Sequence, residues 1–283
     1  MYIFTNRFFD PVKIAGSGQA FRFKVIDNEH IELVAHGRYL QIAVLGDDRF
    51  ALSCTEEDFK DIWEDYFDLN RDYGKVEASV DPDDRYLSAA VRYGHGIRIL
   101  RQDIWETVIS YIISQRRSIP SITTCVERLS SLRGHELSVP ALEPPFVPAS
   151  SDEYYSFPAV EDMAGITPEE LASIGAGYRG AYILSAVDDF ISGKLTPELL
   201  RASDDDRLYE ILTSMFGVGK KVANCIMLFA LARTSRFPID VWIDRILNKY
   251  YGGAFDTSRY PDTAGIMQQY MFYYERNDSL HIT

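Results

Sequence analysis

A chain of 283 residues that is 46% hydrophobic can bury a large core; with no apolar run long enough to span a bilayer, and none after Met1 to act as a signal, it reads as soluble and cytoplasmic. Three scattered cysteines, Cys54, Cys125 and Cys225, argue against a disulfide framework and exclude a four-cysteine cluster, and five histidines without ligand spacing speak against zinc. The net charge of −13 weighs against a protein that coats nucleic acid indiscriminately, so any basic face must be local, assembled from Arg116-Arg117, Arg179, Lys220-Lys221, Arg233 and Arg236.

From Asn6 to about Cys54 the pattern is that of strands. Phe21, Phe23 and Val25 alternate with Arg22 and Lys24, and Asp27-Asn28 turns the chain. Ile31 to Leu33 and Tyr39 to Ile42 continue the sheet across His36-Gly37, and Gly46-Asp47-Asp48 precedes Phe50 to Leu52. The GxG run in "IAGSGQAFRF" does not open a nucleotide loop, because strand periodicity rather than a helix follows it. Residues 56–69 read as a helix with Phe59, Ile62, Trp63 and Tyr66 on one face.

After the break at Asp81-Pro82-Asp83-Asp84, Asp103 is set to cap a helix with a Trp105, Val108, Ile109 and Ile112 stripe. Pro120 starts another, with Ser118 as its expected cap. Residues 139–151 are Pro-rich and read as a loop. A short helix is expected from Pro168, a longer one from Arg179 behind the glycines of "GAGYRGAYI", and a last helix over "DTAGIMQQYMFYYER".

The most informative stretch lies between. Leu208, Ile211 and Leu212 form an apolar face, the helix breaks at Phe216-Gly217-Val218-Gly219, and Val222, Cys225, Ile226 and Phe229 make the buried stripe of the next helix. Two glycines around one apolar residue permit a tight hairpin, since glycine reaches positive φ without steric cost. The product is a helix–hairpin–helix, over about residues 207–232. Its second helix points an N-terminus at the hairpin, a place suited to a phosphate. Lys221 sits in that first turn, where the helix dipole disfavours an ammonium. Asp240, after Pro238-Ile239, is placed to cap a helix from Val241 to Tyr250.

"GVGKKVANC" followed by "FPIDVW" resembles the helix–hairpin–helix, Gly/Pro-rich, aspartate signature of base-excision DNA glycosylases. "SGQAFRF", "RQD" and "GAGYRGAYI" resemble the 8-oxoguanine members, and the likeness covers nearly the whole chain. It implies that Lys221 is the nucleophile and Asp240 its carboxylate partner. Gly18 would take the N7 proton of oxidised guanine on its carbonyl. Gln268 would bond the base edge, with Phe272 and Cys225 covering its two faces. Gly217, Val218 and Gly219 would grip the phosphate, Tyr178 would wedge into the duplex, and Arg179 and the loop at Arg116 would meet the orphaned partner base. Here the sequence departs: Gln115-Arg116-Arg117-Ser118 stands where animal members carry asparagines, and Ser121 replaces an arginine.

The resemblance implies an α+β fold, with a small antiparallel sheet domain over residues 1–84 and a helical body over 85–283. It implies a monomer that needs no metal or cofactor and acts on double-stranded DNA, nucleoid-associated in a prokaryote. Its reaction would excise 8-oxoguanine through a Schiff base on Lys221 and nick the strand by β-elimination. The alternatives are a glycosylase for another damaged purine and a helix–hairpin–helix protein that binds DNA without chemistry. A binding role requires neither Lys221 nor Asp240.

Overall fold

The computed structural model describes residues 1–278. Five strands, β1 (Tyr2–Thr5), β2 (Phe23–Val25), β3 (His30–Ala35), β4 (Arg38–Gly46) and β5 (Arg49–Leu52), form one antiparallel sheet in the order β1-β5-β4-β3-β2. The turns at His36-Gly37 and Gly46-Asp47-Asp48 stand where expected, all five residues at positive φ. The sheet starts earlier than Asn6, because β1 pairs with β5 from Tyr2 opposite Leu52. A helix that the strand pattern masked, α1 (Pro11–Gly16), follows it. Asp10 starts it by accepting from the Lys13 amide at 3.0 Å, with Pro11 at its first position. Phe21 leaves the expected strand alternation and enters the helical core.

One face of the sheet packs on a helical run that joins α2 (Glu56–Asp58) and α3 (Glu64–Tyr66) through a π-helical turn, Phe59–Trp63. Phe59, Trp63 and Tyr66 meet Leu33, Leu40, Ile42 and Leu52, while Ile62 is half-buried. The helix stops at Tyr66 and not Leu69, because Asp68 turns to φ +50 and spends its carboxylate on Arg71 and Arg101. On the other face Glu32 and Gln41 are cross-strand partners, which alternation alone would leave in water. The Pro-rich segment 139–151 is indeed a loop, and it covers them. Gln41 exchanges bonds of 3.1 and 2.9 Å with the Val147 backbone, and Glu32 accepts from the Ser150 amide at 3.1 Å.

The helical body holds α4 (Tyr73–Ala78), α5 (Arg85–Tyr93), α6 (Ile104–Ser114), α7 (Ile119–Arg133), α8 (Pro168–Ser173), α9 (Gly180–Ile191), α10 (Pro197–Ala202), α11 (Asp205–Ser214), α12 (Lys220–Phe229), α13 (Val241–Tyr250) and α14 (Ala264–Asp278). Helix α6 is its centre: apart from Glu106, every residue from Ile104 to Ile113 is buried, as a helix apolar on all sides must be. Asp103 caps it through the Glu106 amide at 2.9 Å, as expected. Ser118 occupies the cap position of α7 without a capping bond; Pro120, second in the helix, removes one of the two amides such a cap would meet.

The two cores interlock. The sheet core takes Leu100, and the helical core takes Phe21, Tyr73 and Val76. Arg98 pins the seam: fully buried above the Tyr73 ring at 4.0 Å, it donates to the carbonyls of Phe67 and Phe8 at 2.9 Å, Arg71 at 3.0 Å, and Asp68. No helix among the described residues is long and apolar enough to cross a membrane.

Candidate active site

Helices α11 and α12 meet at the hairpin Met215–Gly219. Gly217 has φ +83, and a Cβ there would stand 2.2 Å from Tyr182 Cγ, so only glycine fits beneath that ring. Gly219 corrects the expectation of two strained glycines. It is extended at φ −91, occupies the cap position of α12, and has open space where a side chain would go. The Val218 amide is spent on the Met215 carbonyl at 3.1 Å, and its side chain is buried. The Gly217 and Gly219 amides have no backbone acceptor among the described residues, and with them the first amides of α12, at Lys220 and Lys221, which no side chain caps, are the donors offered to an anion.

Lys221 lines a cleft of about 750 Å³ and a recess of about 50 Å³ that shares Gly18, Tyr111, Asp240 and Phe272 with it. Its ammonium lies 5.2 Å from the centre of the Tyr111 ring. Cys225, one turn further along α12, and Gln268, on α14, complete the recess. Burial pushes the Cys225 thiol above its ordinary pKa, with the Lys221 ammonium pulling the other way, so the sulfur is an apolar wall. Burial also lifts the Tyr111 hydroxyl well above its usual range, helped by Cys225 and Asp240. Asp240 caps α13 as expected: its Oδ1 accepts from the Trp242 and Ile243 amides at 3.0 and 2.9 Å. Gln268 is buried, yet its Oε1 has no hydrogen-bond partner among the described residues. An acceptor left so costs about 1–3 kcal/mol and is met by an incoming donor.

The opposite wall is the turn at Gly18. It has φ +75, and a Cβ there would stand 2.9 Å from Ile119 Cδ1 and 3.2 Å from Phe272 Cε1. Gln19 fixes this turn from beneath. Its amide group donates to Ser17 Oγ and the Arg98 carbonyl, both at 2.9 Å, and accepts from the Leu100 amide at 2.8 Å. Its own carbonyl receives Gln102 at 2.8 Å and the Tyr111 hydroxyl at 3.1 Å. The Gly18 carbonyl accepts from no donor among the described residues.

Beyond the cleft, Tyr178 is exposed on a short 3-10 turn, Gly177–Arg179. Arg179 differs from the expected exposed reader: it is 5% exposed, packs over Tyr178 at 4.4 Å and donates to the Gln115 carbonyl. Arg116 is exposed at φ +53 on the loop between α6 and α7. The acidic bulk of the chain does not reach the cleft, where Arg116, Arg117, Lys220, Lys221 and Arg276 stand against one carboxylate, Asp240. Two cations expected on that face do not join it: Arg233 and Arg236 are held by Asp205 at 3.2 and 3.1 Å. Sequence reasoning also passed over Tyr111, Ile119 and Trp242, which line the cleft. The signal for Tyr111 was α6 itself, since a helix apolar on every side turns some residues toward any site it touches.

A lysine in the first turn behind the hairpin, lining one recess with a capping aspartate, defines a helix–hairpin–helix DNA glycosylase. Residues 1–108 match the model of the 8-oxoguanine DNA glycosylase N-terminal domain. The whole chain is similar to MBOgg1, solved with a low-affinity DNA ligand: 33% identity, 98% of this chain and 96% of that one, TM-score 0.89. It is similar too to the Clostridium acetobutylicum 8-oxoguanine glycosylase/lyase, solved with double-stranded DNA containing cytosine opposite 8-oxoguanine. There the identity is 31%, over 96% of this chain and 93% of that one, with a TM-score of 0.87. The probable N-glycosylase/DNA lyase of Methanothermobacter thermautotrophicus is 27% identical over 227 residues, 70% of this chain and 69% of that protein. The chain belongs to the 8-oxoguanine DNA glycosylase family.

Proposed function

We propose that this protein is a bifunctional repair glycosylase that excises 8-oxoguanine from duplex DNA and then nicks the strand. The observation that carries this reading is the convergence of Lys221, Asp240, Gly18, Cys225, Gln268 and Phe272 on one recess beside the hairpin. An N-glycosidic bond inside a duplex is shielded, so the nucleotide must first be flipped out. The amides at Lys220 and Lys221 bind a phosphate beside the lesion, and exposed Tyr178 fills the gap in the stack. The base enters between Cys225 and Phe272. Its N7–H meets the Gly18 carbonyl, and Gln268 Oε1 receives a donor from its pairing edge.

Chemistry then requires a neutral amine at Lys221 to attack C1′ as the base departs. Asp240, whose Oδ1 is committed to α13, takes the amine proton at its carboxylate and offsets positive charge growing on the sugar. The resulting aminal opens at its C1′–O4′ bond, O4′ taking a proton as the nitrogen lone pair forms the C=N of the Schiff base, and loss of a C2′ proton then expels the 3′ phosphate by β-elimination. The test is a nicking assay on a duplex with a single 8-oxoguanine: excision with strand cleavage at that site is expected. Equal action on an undamaged duplex, or none on either, sinks the reading.

A further inference from the structure

Three loops face the DNA side of the cleft: the hairpin, the turn carrying Tyr178, and the segment 115–118. One residue bonds to the other two loops. Gln115 ends α6, and its Nε2 donates to the Gly217 carbonyl at 3.0 Å and back to the Ile112 carbonyl at 3.3 Å. Its main-chain carbonyl accepts from the Arg179 guanidinium. The circuit closes on the far side through rings. Arg179 lies over Tyr178, Tyr178 meets Tyr182 edge-on at 5.8 Å, and Tyr182 covers Gly217. The circuit is short and half-buried, so a shift in one member must move the others.

We propose that the Gln115 side chain is a positioning residue for this reaction, holding the phosphate-gripping hairpin at a fixed spacing from the loop that meets the partner strand. The inference rests on the glycosylase reading for its meaning, and on geometry for its content. The hairpin grips the backbone of the damaged strand, while Arg116 faces the partner and Tyr178 fills the gap in the stack. A kinked duplex with one base flipped out fits only one separation of those two grips. Gln115 sets that separation and touches neither Lys221 nor Asp240 through any bond seen here. Its loss therefore weakens capture of the kinked duplex and leaves the chemical step intact.

The test pairs Gln115→Met, which keeps length and loses the donor, with Gln115→His, whose Nε2–H stands at similar reach. Binding is read on a duplex with a tetrahydrofuran abasic analogue, which needs no excision, and single-turnover excision is read on 8-oxoguanine DNA. For Gln115→Met the half-saturating duplex concentration rises about tenfold in both assays, the worth of one hydrogen bond to a half-buried carbonyl. The rate at saturation stays within about twofold, and Gln115→His recovers most of the binding. Unchanged binding in Gln115→Met overturns the proposal. So does a tenfold lower saturated rate at unchanged half-saturation, and so does a binding loss that tracks melting temperature and is not recovered by histidine. Failure of the wild type to excise 8-oxoguanine instead removes the glycosylase reading, and the abasic duplex still reports on Gln115.

Discussion

The Lys221 ammonium stands 5.2 Å from the centre of the Tyr111 ring, and the hydroxyl of that ring donates to the Gln19 carbonyl at 3.1 Å. This contact joins the two walls of the site. Gln19 holds the Gly18 turn, α6 carries Tyr111, and α12 carries the lysine, so Lys221 and the Gly18 turn are referenced to one rigid helix. A nucleophile acts only if the sugar carbon is delivered within a fraction of an ångström, and such fixed walls provide that.

The covalent step is the first consequence. Borohydride should trap wild-type protein on 8-oxoguanine DNA as a stable adduct. Lys221→Gln should abolish trapping while lesion binding survives, because the phosphate-facing amides of α12 are main-chain groups. Undiminished adduct in that variant removes Lys221 from the role assigned to it.

Asp240 caps α13, and one substitution separates that cap from the carboxylate role proposed for it. Asparagine retains an oxygen for the Trp242 and Ile243 amides but carries no charge. Asp240→Asn should melt within a few degrees of wild type, roughly the shift of 1 kcal/mol or less, and excise more slowly by on the order of 10²-fold. A near-wild-type rate in the folded variant leaves Asp240 only its cap.

Gly18→Ala tests the base-reading turn. The φ of +75 costs a residue with a Cβ about 1–2 kcal/mol, and the new methyl pushes on Ile119 and Phe272. Both side chains are half-buried and border the open cleft, so the protein should fold with a modest loss in melting temperature. The recess should narrow, and excision of 8-oxoguanine should fall about tenfold or more as the carbonyl shifts. Binding to the abasic duplex should hardly change. Wild-type excision by Gly18→Ala means that the turn does not read the base.

The candidate site was legible in the sequence because its signals are local. Gly217, Lys221 and Asp240 lie within 24 residues of one another, and caps, hairpins and helix starts each have short signatures. The sheet turns at Gly37 and Gly46 were legible for the same reason. What escaped depends on distant chain. Glu32 and Gln41 look like solvent-face strand residues until segment 139–151 crosses over them. Arg179 looks like an exposed reader until the Gln115 carbonyl, 64 residues earlier, accepts its hydrogen bond. Arg233 and Arg236 look like DNA-facing cations until Asp205 reaches both. Periodicity reports which face of an element is apolar and says nothing of what later arrives to cover the other.

The same distant contact bears on the partner base. Strong selection for cytosine needs donors aimed at its O2 and N3, which the family resemblance assigns to a loop asparagine and two arginines. In this chain Ser121 is too short to stand for the second arginine, and Arg116, exposed at φ +53, is longer than asparagine and free to turn to a phosphate. The remaining arginine, Arg179, must give up the Gln115 carbonyl and its seat over Tyr178 before it reaches a base. Each absent or offset polar contact is worth roughly 1–3 kcal/mol of discrimination, so the preference for cytosine over adenine, guanine or thymine should be only about ten- to a hundredfold. Single-turnover excision on four duplexes differing at that one base measures it. A preference above about a thousandfold, well beyond that estimate, would show that Arg179 leaves its buried seat at no cost and rebuilds the reading head with Arg116.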